Sequence, residues 1–298
     1  MTAITVPVKT AGRIQATSPL RAVLRNKLAL VAVGVLALML LAAVFAPLIA
    51  PHDPNAQDLL VRLRPPAWMS GGTSDHVLGT DQLGRDLLSR LIYGSRISLL
   101  VGASAAVLAG IIGASIGLVS GFLGGWFDRI LMRVADIQLA FPSILLALAI
   151  VGFLGSGLWY VIIVLGFTGW VSYARVLRAE VLSLRSREFV TEARAIGVGD
   201  IMIMRRHLLP NVLAPLATIG TLHVASAIVA EASLSYLGMG VPKEIVTWGA
   251  MLANGQLYLG TSWWLAVFPG AALMCTALAV NITGDVLRDV ADPKAYRR

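Results

Sequence analysis

Few residues in this chain have the types and spacing for covalent chemistry. Cys275 is the single cysteine and lies inside an apolar run, so it can form neither an internal disulfide nor a metal cluster. It reads as a small packing residue. His52, His76, His207 and His223 are scattered without ligand spacing. No GxxxxGK[ST] pattern occurs, so the chain has no P-loop to bind nucleotide. The segment that stands out is Glu192-Ala193-Arg194-Ala195-Ile196-Gly197, followed by Leu209-Pro210. It is polar and Arg-rich, and strongly apolar segments lie on both sides of it. Its chemistry is contact rather than catalysis.

Residues 187–207 read as a helix, a short turn and a second helix. Glu188, Glu192, Ala193 and Ala195 favour helix, and Gly197 with Gly199 interrupts it. Asp200 is placed to cap the second helix. Ile201, Met202, Ile203 and Met204 make that helix apolar, with Arg205, Arg206 and His207 behind, and Pro210 opens the next span. Exposed apolar and basic groups on a short helix can plug a groove on another protein, and flexible Met side chains suit such a socket. The same pattern also fits an amphipathic helix on a membrane surface, its arginines toward anionic lipid.

The elements that must position this segment are membrane spans. Hydrophobic residues make up 57% of the chain and charged residues 13%, with long apolar runs. A soluble domain carries about 25% charged residues. The pattern therefore predicts an all-α polytopic membrane protein. Six spans fit, at about 28–50, 95–122, 131–153, 158–176, 212–234 and 263–286. The first run is too long for a signal-peptide core and reads as a retained helix. Residues 51–94 carry Pro54, Pro65, Pro66, Gly71 and Gly72 and predict loops with short amphipathic pieces at most.

The net charge of +8 reads as topology, not as nucleic-acid binding. With the N-terminus inside, eighteen of the 24 Lys and Arg fall on the cytoplasmic side, and both ends are cytoplasmic. The opposite side holds Arg62, Arg64, Arg85, Arg90, Arg96 and Lys243. Trp126, Trp159, Trp170, Trp248, Trp263 and Trp264 near span ends suit interfacial anchoring. Asp136 and Glu231 are the main charges within spans. Their place near span ends weakens an ion-coupled carrier, which wants carboxylates at mid-membrane. Gly102, Gly110, Gly113 and Gly117 recur in the second span. They allow close helix packing, or a helix that slides against a partner or lines a pore. Pro142 bends the third helix, either opening a path or fitting the packing. Asp81, Arg85 and Asp86 alternate in sign on the outer loop. They fit a docking surface, or simple pairing with each other at a wet surface.

The segment from Glu192 through Gly197 to Leu209-Pro210 resembles the EAA loop of permeases in binding-protein-dependent ABC importers, with Arg194 where the family usually has Ala. Nearly the whole chain resembles the C-type permease of the dipeptide/oligopeptide/nickel importer family. The matches include His76-Val77-Leu78-Gly79-Thr80-Asp81-Gln82-Leu83-Gly84-Arg85-Asp86, Gly94-Ser95-Arg96, and Gly124-Gly125-Trp126 with Asp128. Ala140-Phe141-Pro142-Ser143, the run Glu231 to Gly240, Gly284-Asp285 and Asp292-Pro293 continue it in order.

The resemblance implies the type I importer permease fold in a bacterial inner membrane. Residues 1–27 would be a cytoplasmic segment, 28–50 the first span and 51–94 an extracytoplasmic loop. Residues 95–286 would form a five-helix core with the coupling segment at about 187–210, and 287–298 a cytoplasmic tail. It implies ATPase coupling through Glu192, Ala193, Gly197, Asp200, Leu209 and Pro210, and an outer-loop signature of Gly79, Asp81, Gly84, Arg85 and Asp86. Pro142 is the gate or kink candidate. The implied partners are a B-type permease, two ATP-binding subunits that hold ATP and Mg, an extracytoplasmic binding protein, a peptide substrate and membrane lipid. No cofactor, metal or catalytic residue is implied in this chain. The alternative cargoes are nickel chelates, glutathione or another small solute.

Overall fold

The computed structural model describes residues 26–242 and 244–291. The basic stretch with Lys9, Arg13, Arg21 and Arg25, the cation Lys243, and the tail from Asp292 with Lys294, Arg297 and Arg298 lie outside the described residues.

Asp86 starts the longest helix. Its carboxylate accepts the Ser89 N–H at 2.7 Å, satisfying one of the free donors of the first turn. From there the chain is helical over Leu87–Leu123, here α3. It is preceded by α1, Lys27–Val44, and the short α2, Ala46–Ile49. The remaining helices are α4 (Gly125–Leu139), α5 (Ser143–Leu154), α6 (Leu158–Leu184), α7 (Glu188–Ala195), α8 (Asp200–Ile203), α9 (Leu209–Tyr236), α10 (Trp248–Gly255) and α11 (Trp264–Ala291). Thus the expected second span begins eight residues early, and the fourth continues past Val176 to Leu184.

Among the described residues, five helical segments are long and apolar enough to cross a membrane: α1, α3, α6, the run Asp200–Tyr236, and α11. The third expected span is corrected. It is two helices, α4 and α5, bent by 90° at residues 140–142. Two causes are visible. Pro142 has no N–H to give, and it biases Phe141 away from helical geometry. In addition, α4 carries Asp128, Arg129, Arg133 and Asp136, which call for water or headgroups. Helix α5 alone, at about 18 Å, falls short of a roughly 30 Å hydrocarbon core.

The α3–α6 pair is the spine. Small residues let the backbones approach: a Cβ on Gly113 would lie 2.4 Å from the Trp170 carbonyl oxygen, and one on Gly117 would lie 2.6 Å from that of Ala174. Helix α1 stands at the edge, with Leu30, Val31, Leu38 and Leu41 exposed, a surface suited to lipid. Of the six tryptophans expected at span ends, Trp126, Trp159 and Trp263 are exposed. Trp170, Trp248 and Trp264 are buried; the Trp170 indole donates to Gln138 Oε1 at 2.7 Å and the Trp248 indole to the Leu91 carbonyl at 2.9 Å. Both rings bridge elements and do not anchor at an interface.

Candidate functional site: the 187–210 segment and its supports

Helix α7 ends at Gly197 for a backbone reason. Gly197 has φ +82°, where a side chain is strained. Its N–H donates to the Arg194 carbonyl, and the Val198 N–H donates to that of Ala193, both at 3.0 Å. These two bonds form a Schellman termination and fix the direction of the chain into α8. Asp200 does not cap α8, as its type suggested. Gly199 occupies the cap position, and Asp200 sits in the first turn with Oδ1 3.7 Å from Arg194 Nε. The extra glycine shifts the cap by one residue. Both side chains are half-exposed or more, so that pair adds little stability.

The segment has a dry underside and an apolar top. Val190, Ala193, Ile203 and Leu208 are buried against Phe122 of α3 and Leu177, Val181 and Leu184 of α6. The Arg194 guanidinium lies 4.6 Å from the centre of the Phe122 ring, within cation–π range. On the opposite side Ile196 is 80%, Ile201 70% and Met202 52% exposed. Glu192 and Pro210 are exposed, while Leu209 is partly buried. The sequence offered Ile201, Met202, Ile203 and Met204 together; Ile203 is buried and Met204 partly so, and Ile196 joins the exposed set. The spacing of Ile196 from Ile201 across a Gly turn gives no helical period, so pattern alone does not find it.

No loop separates α8 from the membrane. A π-helical turn, Met204–Leu208, carries the chain directly into α9. The Leu209 N–H reaches back to the Met204 carbonyl. Pro210 has no N–H for the carbonyl four residues earlier, and a widened turn accommodates that loss. The exposed top is therefore joined to α9 through continuous helix.

A second brace holds the same end. Asp128 of α4 accepts two bonds from the Arg178 guanidinium of α6, at 2.5 and 2.6 Å, and one from the Ser120 hydroxyl of α3. Arg185 Nη1 donates to the Gly121 carbonyl at 3.0 Å. Gly124, Gly125 and Asp128 thus belong to a joint between three helices. Near Pro142 a cavity of about 290 Å³ lies between α5, α6 and α9, and Ser143, Thr168, Ser172, His223 and Ser226 give it polar lining.

The outer-loop signature is no wet surface patch. Asp81, Arg85, Asp86 and Arg90 are all buried. Asp81 accepts the Arg85 Nε–H at 2.7 Å and the backbone N–H groups of Leu83 and Arg85. Arg90 donates to the Pro54 carbonyl at 2.8 Å. Gly79 and Gly84 both have positive φ, and a Cβ on Gly84 would collide with the Asp58 carbonyl at 1.7 Å. The side chains do pair with one another, as one reading of the sequence held. They do so inside a knot that closes residues 54–86 onto the start of α3.

These features define a class: a multi-pass helical membrane protein whose exposed short helices are continuous with a span. Residues 88–297 match the family described as "Binding-protein-dependent transport system inner membrane component", and residues 19–66 match "N-terminal TM domain of oligopeptide transport permease C". The chain is 44% identical over 269 residues to the di/tripeptide transport system permease protein DppC of Pseudomonas aeruginosa, covering 90% of this chain and 89% of the relative. It is 40% identical over 269 residues to the oligopeptide transport system permease protein OppC of Bacillus subtilis, covering 90% and 86%. It is also 40% identical to the probable D,D-dipeptide transport system permease protein DdpC of Escherichia coli K12, covering 88% and 86%.

Among solved structures, the MetNI methionine ABC transporter in inward-facing form aligns with a TM-score of 0.56 at 20% identity, covering 67% of this chain and 96% of that one. That likeness supports the type I permease fold. The chain belongs to the family of inner-membrane permease components of binding-protein-dependent ABC importers.

Proposed function

We propose that this chain is the C-type half of the translocation path of a di- or oligopeptide importer, and that residues 187–210 receive the ATPase stroke. The observation that carries the coupling role is the exposed apolar top, Ile196, Ile201 and Met202, on a fully packed base. A partner groove could seat on this top without disturbing the fold. Glu192, Gly197, Asp200, Leu209 and Pro210 set its shape and direction, while Ala193 fixes it to the helices beneath.

In this reading a related B-type permease completes the path and two ATPase subunits bind ATP and Mg. An extracytoplasmic binding protein delivers the peptide from the face carrying residues 51–94. Both termini lie in the cytoplasm, as the Lys and Arg bias supports. The cavity beside Pro142 faces the path, and the α4–α5 break acts as its gate. The peptide assignment is supported by the three relatives named above, all of them peptide-system permeases by name.

The test is uptake of labelled dipeptide by the reconstituted importer with an Ile201→Asp chain. Ile201 is exposed, so stability should move by no more than about 0.5 kcal/mol. Uptake and binding-protein-stimulated ATP hydrolysis should fall about tenfold or more, as for loss of an interface anchor. Unchanged coupling in a well-inserted Ile201→Asp, Ile196→Asp double variant would refute the seat.

A further inference from the structure

Two histidines that are 24 positions apart in the sequence meet above the cap of α3. The ring centres of His52 and His76 are 4.9 Å apart. His76 Nδ1 lies 3.0 Å from Asp86 Oδ1, and His52 Nδ1 lies 3.8 Å from Asp86 Oδ2. All three donor atoms fall within 4.8 Å of one another. We propose that His52, His76 and Asp86 form a binding site for one divalent transition-metal ion of the zinc type.

The donor set is right for such an ion. Imidazole nitrogen with one carboxylate oxygen suits zinc, and the all-oxygen preference of magnesium or calcium is not met. Donors at tetrahedral zinc stand roughly 3.3 Å apart. His76 Nδ1 and Asp86 Oδ1 already stand closer than that. The His52 donor, within 4.8 Å of the other two, must move inward by up to about 1.5 Å, which the partly exposed His52 side chain can do by rotating. In the neutral tautomer with the proton on Nε2, each ring offers its Nδ1 lone pair inward. The fourth position falls to water.

The surroundings hold the donors in place. Ser89 Oγ donates to Asp86 Oδ2 at 2.7 Å and accepts the His52 backbone N–H at 3.0 Å. One hydroxyl therefore fixes both the carboxylate and the segment carrying His52, as outer-shell partners do around metal ligands. Asp86 Oδ1 keeps a lone pair for the ion. The two arginines nearest Asp86 in sequence are already committed: Arg85 pairs with Asp81, and Arg90 binds the Pro54 carbonyl. A cavity of about 680 Å³ lined by His52, Asp53, Arg96 and Glu244 gives an ion and its water a way in.

Occupancy would cross-link three segments of the chain: the end of the α1–α2 unit, the residue-76 turn and the cap of α3. The site rests on the fold alone, so its test needs neither partner nor cargo. The full-length chain in detergent, its purification tag removed and its metals stripped by a chelator, is titrated with Zn2+ and with Co2+ as a spectroscopic stand-in. The expected result is one equivalent per chain at micromolar metal, a tetrahedral nitrogen/oxygen Co2+ spectrum, and a zinc-dependent rise in thermal stability.

His52→Ala, at an exposed position, and His76→Asn, which keeps a donor toward Asp86, should each weaken binding about tenfold or more. No saturable binding, or binding unchanged in both variants, would overturn the site. ATP-driven accumulation of zinc by the assembled importer, lost in His52→Ala, would overturn the resident clamp and make these residues a cargo station.

Discussion

Asp81 shows how much one side chain holds in this protein. Its carboxylate takes the Arg85 guanidinium and two backbone N–H groups, with Arg90 Nε 3.7 Å away, and all of it is out of water. Asp81→Asn keeps the backbone acceptor but turns an amide N–H2 toward Arg85 or removes its charge partner. Breaking a buried pair from one side costs about 3–5 kcal/mol. The expected outcome is a marked fall in the thermal stability of the detergent-solubilised chain, read by loss of monodispersity on heating. A variant as stable as wild type would show that water reaches the knot. Gly197→Ala is milder: φ +82° costs an L-residue roughly 1–2 kcal/mol, yet a Cβ there meets nothing within 4 Å. The fold should survive with the exposed top re-aimed, so uptake should drop more than stability does. Equal losses in the two measurements would argue that Gly197 matters only for folding.

At the scale of elements, α3 and α6 are matched along their length. Gly113 and Gly117 on one helix face carbonyls of residues 170 and 174 on the other, one turn apart. Gly117→Ala must push the backbones apart, because the obstacle is the Ala174 carbonyl and not a rotatable side chain. A cost of about 1–3 kcal/mol follows, along with reduced uptake, since both helices underlie the proposed coupling segment. Wild-type stability in Gly117→Ala would mean that the pair slides freely. The small-residue repeat was legible in the sequence because close approach leaves a compositional trace. The break of the third span was only half legible: Pro142 marks the place, but nothing in the order of apolar residues encodes 90°. Tryptophan burial was not legible either, since hydropathy does not separate protein from lipid as the apolar neighbour. Pairing of Asp81 with Arg85 lies within five residues and could be suspected. The closure by Pro54 and the arrival of His52 depend on tertiary contacts that no local pattern records.

Across the whole molecule one helix, α3, links the outer-loop knot, the α3–α6 spine and the base of the 187–210 segment. At 37 residues and about 55 Å, α3 outruns the hydrocarbon core. Its first turn sits in the knot beside His52 and His76, its middle packs on α6, and Phe122 lies under Arg194. No proline interrupts it, whereas α9 contains Pro215 and α11 contains Pro269. This gives the protein an internal clock. An amide in the middle of an uninterrupted ladder, on the packed face of the helix, exchanges its hydrogen for deuterium only when the whole bundle opens. Amides at residues 139–141, beside the bend, can exchange through a local opening. Deuterium uptake at Ala105 or Ala109 would then report the lifetime of the entire fold, and uptake at Phe141 the lifetime of one joint, in a single time course.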